Sequence, residues 1–328
     1  MNDLPEFIFS IKDPDSFHET ALEIFRIQAD RNPVFKNFIT SLGRSKERVK
    51  DLSEITFLPI EFFRDQKIIL QDLPLEVIFE SSRTTGTIPG RHFVHDLKMY
   101  ERSFQSSFAI FYGDPSEYFI AALLPSYSER GNSSLVYMMD HLIRKSRYPG
   151  NNFYNNRMED LVKDIEIRKE QNVKILLMGV SFALLSLAER LSPDLSGVIV
   201  METGGMKGRR KEITREELHK ILVEKMNVPV IHSEYGMTEL LSQAYSKGNG
   251  IFRCPPWMRI MIRDPHDPLS IIKEPGHAGG INIIDLANLY SCSFIATGDM
   301  GRLHADGSFE VLGRFDNSDI RGCNLMVE

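Results

Sequence analysis

Four short stretches of this chain hold residues whose types and spacing could do chemistry. The first, "ESSRTTGTIPGRH" (80–92), sets the hydroxyls of Ser81, Ser82, Thr84, Thr85 and Thr87 around Gly86 and Gly90 and closes on Arg91 and His92. Backbone N–H groups and hydroxyls in such a loop can cradle phosphate. Arg83 stands where a loop of this kind most wants a glycine. The second, "ETGGM" (202–206), is a double-glycine turn after an apolar run. The third, "EYGMTE" (234–239), puts an aromatic ring, a glycine, a hydroxyl and a carboxylate within six residues. The fourth is "TGD" (297–299). Each of them alone also reads as a surface turn, since Gly, Ser, Thr and Asp dominate turns for backbone reasons.

Other reactive residue types offer less. The nine histidines form no His-x-x-x-His spacing. His92 and His232 flank the candidate loops and could orient a carboxylate; as packed or solvated side chains they need no such role. Cys254, Cys292 and Cys323 are odd in number and far apart, which suits neither a disulfide framework nor a zinc site. Cys254 ("FRCPPW") and Cys292 ("YSCSF") sit beside apolar runs and are expected to be buried. Aromatics in "SFAIFY" and "EFF" could line an acyl pocket or simply fill a core.

These loops must be carried by regular elements. Residues 14–50 have helical apolar spacing, with no interior glycine before Gly43. "EITFLPIEFFRD" (54–65) reads as a loop crossing to a short helix. "LEVIFESS" (75–82) is a strand leading into the first loop, and 95–111 an amphipathic helix. Residues 117–124 form a strand followed by a loop and a helix. "VKILLMGVSFALLSLAERL" (173–191) repeats strand, turn at Gly179, helix. "SGVIVMETGGMKGRR" is a buried strand running into glycines, and "REELHKILVEKMN" a helix. "PVIHSEYGMTELLSQAY" is a strand and a loop, with room for a short helix. Alternation of this kind predicts an α/β fold with binding loops at the carboxyl ends of strands. Beyond residue 250, "WMRIMIRD", "GGINIIDLA", "CSFIATGD" and "GSFEVLGRFD" are short strands between Gly and Asp turns.

The 328 residues are 42% apolar and 26% charged, ordinary for a globular protein. A formal net charge of −6 argues against general affinity for nucleic acid, because no basic excess drives counterion release. The opening "MNDLPEFIFSIKDP" lacks the basic-then-apolar pattern of a secretory leader, and no apolar run approaches membrane-spanning length. A cytoplasmic setting is the expectation.

The order of the four loops, followed by "GRFD" (313–316), resembles the adenylate-forming superfamily. The likeness runs from about residue 55 to the end and is strongest toward acyl-protein synthetases of the luminescence type, next toward phenylacetate-CoA ligases. It implies the large-domain fold of that superfamily, a layered αβαβα arrangement with a β-barrel-like element, spanning 1–315. It also implies ATP and Mg²⁺ as cofactors and a carboxylic acid, in this subgroup a fatty acid, as substrate. Residue by residue, "SSRTTG" matches the triphosphate loop, so Ser81, Ser82, Thr84, Thr85, Gly86 and Thr87 would face phosphates. Arg91 would stand in for the loop's usual lysine, and the Arg83 guanidinium could add a phosphate contact. Gly204 and Gly205 would line adenine. In "YGMTE", Tyr235 would stack on adenine beside Gly236, Thr238 would touch the α-phosphate, and Glu239 would hold Mg²⁺, which takes hard oxygen ligands. Asp299 would bind the ribose hydroxyls, and Arg314 would mark the hinge.

The chain departs from the superfamily pattern after that hinge. Residues 316–328 read as hinge and short tail, so the small C-terminal domain with its catalytic lysine is expected to have no counterpart. "RGCNLMVE" instead puts Cys323 where luminescence-type synthetases carry their acyl group. The implied reaction is adenylation of an acid, then transfer to Cys323, with an acyl-reductase or other acyl-acceptor protein as partner. Two alternatives stay open: an acyl-CoA ligase, and a non-catalytic nucleotide- or acyl-binding protein.

Overall fold

The computed structural model describes residues 3–81, 88–125, 131–148, 152–204 and 213–315. They form two compact units, Met1–Asp72 with Pro256–Glu328, and Leu73–Pro255.

The first unit opens with α1 (Leu4–Ile8), α2 (Pro14–Arg31) and α3 (Pro33–Ser41). Helix α2 starts where Asp13 accepts the Ser16 N–H, with Pro14 supplying a helix-ready φ. The expected continuous helix is broken at Pro33, which lacks an N–H to continue the ladder. Asn32 ends α2 and caps α3: its Oδ1 accepts from Val34 and Phe35 N–H, both at 3.1 Å, and its Nδ2 donates to the Ser291 carbonyl at 3.0 Å. Gln28, fully buried, donates to the carbonyls of Asn288 and Leu289 and accepts from Ser293 N–H. These bonds tie the N-terminal helices to the last third of the chain. Phe25, Phe35 and Phe294 interlock beside them with ring centroids 5.6 to 6.1 Å apart. The short β1 (Leu58–Pro59) and α4 (Phe62–Asp65) follow.

The second unit begins with a hairpin, β2 (Val77–Glu80) and β3 (Arg91–Val94), in which Phe79 faces His92 and Glu80 faces Arg91. Then come α5 (Leu97–Tyr112), β4 (Tyr118–Leu123), α6 (Ser134–Lys145) and α7 (Met158–Glu170). They lead to β5 (Lys174–Val180), α8 (Ser181–Leu191), β6 (Val198–Thr203), α9 (Arg215–Met226) and β7 (His232–Tyr235). Strands β4, β5, β6 and β7 lie side by side and parallel. Every residue of β4 is buried, as a parallel strand covered on both faces requires. Each Leu or Ile so buried contributes roughly 1.5–3 kcal/mol of transfer free energy. Gly179 lies inside β5 rather than in the expected turn; a Cβ there would sit 2.9 Å from the Leu184 side chain, so the glycine admits α8 close to the strand. No helix follows "EYGMTE". After a turn, β8 (Ala244–Ser246) runs antiparallel to β7 and β9 (Ile251–Arg253) antiparallel to β8, and Leu240, Leu241 and Tyr245 are buried.

The chain returns to the first unit as β10 (Met258–Arg263), β11 (Ile271–Ile272), β12 (Ala278–Asp285), β13 (Phe294–Leu303) and β14 (Phe309–Arg314). These are the expected late strands. They form an antiparallel sheet in the order β11-β10-β12-β13-β14, with β1 parallel to β13. Among the described residues no helix is long and apolar enough to cross a membrane.

Candidate functional site

The β2–β3 hairpin frames the first loop. Of that loop's candidate residues, Ser82, Arg83, Thr84, Thr85, Gly86 and Thr87 lie outside the described residues; Ser81 and Arg91 lie at its two feet. Ser81 N–H donates to the Gly90 carbonyl at 2.9 Å, and Gly90 N–H donates to Ser81 Oγ at 2.8 Å, which closes the loop's neck. The Arg91 guanidinium lies 5.5 Å from the Phe93 ring centroid.

The neck is docked on the "EYGMTE" segment at two points. His92, 1% exposed, has Nδ1 2.9 Å from the Thr238 carbonyl. The Glu239 carboxylate lies against Gly90, so close that a Cβ on Gly90 would collide with Oε1, and the same Cβ would be 3.5 Å from Ser81 Oγ. Glu239 is 6% exposed. The structure therefore brings Ser81, Gly90, His92, Thr238 and Glu239 together. His92 takes the packed role, at the seam between the neck and the "EYGMTE" segment.

The second loop leaves β6 beside this seam. Gly204 is described and Gly205 lies outside the described residues. Thr203 and Glu234 are paired across β6 and β7, and the Thr203 hydroxyl donates to Glu234 Oε2. Glu202 is buried and anchors the loop's root: Ser181 Oγ is 3.0 Å from its Oε2 and 2.5 Å from the Gly204 carbonyl, and Arg215 Nε donates to Oε1 at 3.1 Å. Burial pushes the Glu202 carboxyl up, but the His219 hydrogen bond, the Arg215 charge and the Ser233 hydroxyl outweigh it, and the net shift is downward. Glu202 thus stays ionised between β6 and α9. Tyr235 is buried, with its ring edge-on to Phe252 at 5.9 Å. Gly236 has no side chain because a Cβ there would strike Glu234 Oε1.

In the first unit, "TGD" lies inside β13 and does not end a strand. Its register with β12 slips between Gly280 and Asn282, and its pairing with β14 slips between Met300 and Gly301. Arg263, almost fully buried, stabilises the irregular stretch by donating to the carbonyls of Ile281 (2.8 Å) and Thr297 (2.6 Å) and to Asn282 Oδ1. Asp299 N–H donates to Thr297 Oγ1, and its Oδ1 is 3.4 Å from Arg314 Nε, on a side chain that is 87% exposed. Asp299 and Arg314 are thus brought together, directly opposite in β13 and β14.

Cys323 lies outside the described residues. Cys292 is buried as expected; burial pushes its thiol up to about 12, and it is a weak nucleophile there. Cys254 is only half-buried, against expectation. His232 is packed, with Nδ1 3.1 Å from the Tyr112 hydroxyl, and burial lowers its pKa. Sequence reasoning did not single out Glu202, Glu234 or Arg263. The signal for Glu202 and Glu234 was present, since each is a lone carboxylate closing an apolar strand at a glycine motif. Arg263 left no such mark.

No protein-family model and no curated protein sequence matches the chain. Solved structures do. ATP-bound MatB from Rhodopseudomonas palustris aligns with a TM-score of 0.55 at 16% identity, over 73% of this chain and 48% of that one. An o-succinylbenzoate CoA synthetase (MenE) double mutant from Bacillus subtilis, bound to a product analogue, aligns at 0.52 and 19%, over 76% and 51%. The same synthetase with its acyl-adenylate intermediate aligns at 0.50 and 19%, over 74% and 49%. At this identity the likeness is one of fold alone: the chain shares a mixed α/β fold with these proteins. It spans about half the length of the structures it matches.

Proposed function

We propose that this chain activates a carboxylic acid with ATP as an acyl-adenylate. The observation that carries the reading is the seat of Glu239, a carboxylate held against Gly90 and Ser81 at the neck of a hydroxyl-rich glycine loop. Mg²⁺ is usually held by one or two carboxylates together with substrate phosphates. Glu239 is the carboxylate at the loop's neck and is the residue that would hold the metal. Mg²⁺ there would neutralise charge on the leaving pyrophosphate. Thr238, fixed through its carbonyl by His92, is suited to the α-phosphate. The acid's carboxylate oxygen bonds to the α-phosphorus, the bond to the β-phosphate bridge breaks, and pyrophosphate leaves. The structures of similar fold that hold ATP and an acyl-adenylate support the reading.

The acyl group then goes to a thiol. We assign this to Cys323, whose thiolate would attack the acyl carbonyl, expel AMP and leave a thioester for an acceptor protein. The likeness of fold to a CoA synthetase supports a second reading, in which CoA supplies the thiol. ATP–pyrophosphate exchange with a panel of acids tests the first step. Acid-dependent exchange is expected, and its absence with every acid leaves a nucleotide- or acyl-binding protein. Intact mass with ATP and acid, with and without CoA, separates the two acceptors.

The Gly90 seat yields a direct prediction. Gly90 does not occupy the left-handed region, so alanine costs little backbone strain. Gly90→Ala instead forces the Glu239 carboxylate away. The far end of a side chain can move cheaply, so the stability change stays within about 1 kcal/mol. Exchange falls roughly tenfold or more, because a misplaced ligand raises ΔG‡ by about 1.4 kcal/mol or more. Equal exchange rates in the two proteins would show that the seat is not used.

A further inference from the structure

The face of β7 and β8 that carries Glu234, Gly236, Gln243 and Tyr245 is covered by helix α5. Glu234 and Tyr245 are directly opposed across the two strands, which puts their side chains on the same face. A Cβ on Gly236 would touch both Glu234 and Gln243, at 3.3 Å from Gln243 Cγ, so these three positions share that face as well. Helix α5 lies along it. Ser103 Oγ is 2.9 Å from Ser242 Oγ, and the Phe111 ring lies 5.2 Å from the Tyr245 ring. Ser107 is one turn from each of these contacts and therefore faces the same strip.

Three polar atoms here are buried and, among the described residues, have no hydrogen-bond partner: Ser107 Oγ, Gln243 Oε1 and Tyr245 Oη. Ser107, Gln243 and Tyr245 are 0%, 4% and 2% exposed. A helical serine commonly bonds back to the carbonyl four residues earlier; Ser107 does not. Buried polar groups are almost always satisfied, so three on one face call for partners that the described protein atoms do not supply. Their chemistry is mixed. Gln243 Oε1 only accepts. Burial, and then the charge of Glu234, keep the Tyr245 hydroxyl protonated and able to donate. Ser107 does either. The complement is a neutral group that both donates and accepts, and it is offered directly behind Glu234–Gly236, the start of the segment that ends in Glu239.

We propose that this strip binds a hydroxyl on the acid substrate, so that the acid is a hydroxylated one and not a plain alkyl chain. An unsubstituted chain would bury against Ser107, Gln243 and Tyr245 without pairing any of them, and the site would reject it. The inference rests on the adenylation reading only in taking the bound acid to be the reacting one.

The test measures acid binding by calorimetry without ATP, and pyrophosphate exchange separately. The ligands are short- and medium-chain acids and their singly hydroxylated counterparts. At least one hydroxylated acid should bind roughly tenfold or more tighter than its unsubstituted partner, the worth of one well-placed hydrogen bond against an unpaired buried group. Tyr245→Phe and Ser107→Ala should each bring that ratio toward one. Both changes only delete an unpaired buried hydroxyl, so both proteins should fold with thermal stability at or above wild type. Equal or tighter binding of the unsubstituted acids, or no binding of any hydroxylated acid, overturns the proposal. So does an unchanged ratio in both variants, the result expected if the strip holds only a buried water. Hydroxyl-dependent binding without exchange leaves this inference standing and removes the adenylation reading. Exchange equally fast with unsubstituted acids does the reverse.

Discussion

Glu239→Gln lowers ATP–pyrophosphate exchange on the order of 100-fold or more, since a metal ligand supplies several kcal/mol of charge stabilisation at the transition state. The variant is nearly isosteric, so the side chain still fits the space that Gly90 leaves. It keeps a carbonyl oxygen and loses the full charge. Because the amide keeps the shape and one acceptor oxygen, the melting temperature of the ligand-free protein is expected to move by only a few degrees, as for a change within about 1 kcal/mol. Activity and stability are thus expected to separate. A Mg²⁺ titration sharpens the result: part of the lost exchange returns at high Mg²⁺, through a weaker site with the same geometry. Wild-type exchange in the variant at saturating Mg²⁺ would remove Glu239 from the reaction. A large loss of stability would instead make it a structural carboxylate of the hairpin seam.

The segments that meet at this seam could be picked out from the chain because their patterns are local. The "YGMTE" hydroxyl and carboxylate, the neck residues Ser81 and Gly90, and the buried strands preceding them are runs of a few residues with recognisable patterns. Parallel strands β4 to β6 were legible for the same reason: apolar runs bounded by turn residues have few other solutions. What failed to be legible depends on distant partners. "TGD" looks like a turn, yet it is held in β13 by Arg263 from a neighbouring strand, which bonds the Thr297 carbonyl across an irregular register. The helix expected across 14–50 divides at Asn32 and Pro33, where Asn32 also bonds Ser291, far along the chain. The role of Ser107 shows the limit most clearly. Its spacing on an amphipathic helix says only that it shares a face with Ser103 and Phe111. That this face meets Gln243 and Tyr245 is a property of the fold.

The same distinction between local and distant information frames the acyl acceptor, the second result expected to be large. In Cys323→Ser, acid-dependent pyrophosphate exchange persists near the wild-type rate, because adenylation precedes the need for a thiol. The covalent acyl-enzyme disappears. In the wild-type protein, ATP and a competent acid add one acyl mass, and neutral hydroxylamine removes it, as for a thioester. The structure narrows the competing thiols. Cys292 is buried with its pKa pushed to about 12, so almost none of it is thiolate near neutral pH. Cys254 is half-buried and is the realistic competitor. Cys254→Ser is therefore the matched control, and it should retain the full acyl mass. A serine at 323 could form an ester, but far more slowly, because thiols are a few per cent ionised at neutral pH and intrinsically more nucleophilic. Peptide mapping after a short incubation decides between sites. An acyl mass of equal size on Cys323→Ser, or one mapped to Cys254, would sink the assignment of Cys323. If neither wild type nor variant is acylated until CoA is added and acyl-CoA appears in solution, the thiol is the cofactor's. Adenylation on this large-domain fold would then serve a CoA ligase rather than a protein synthetase.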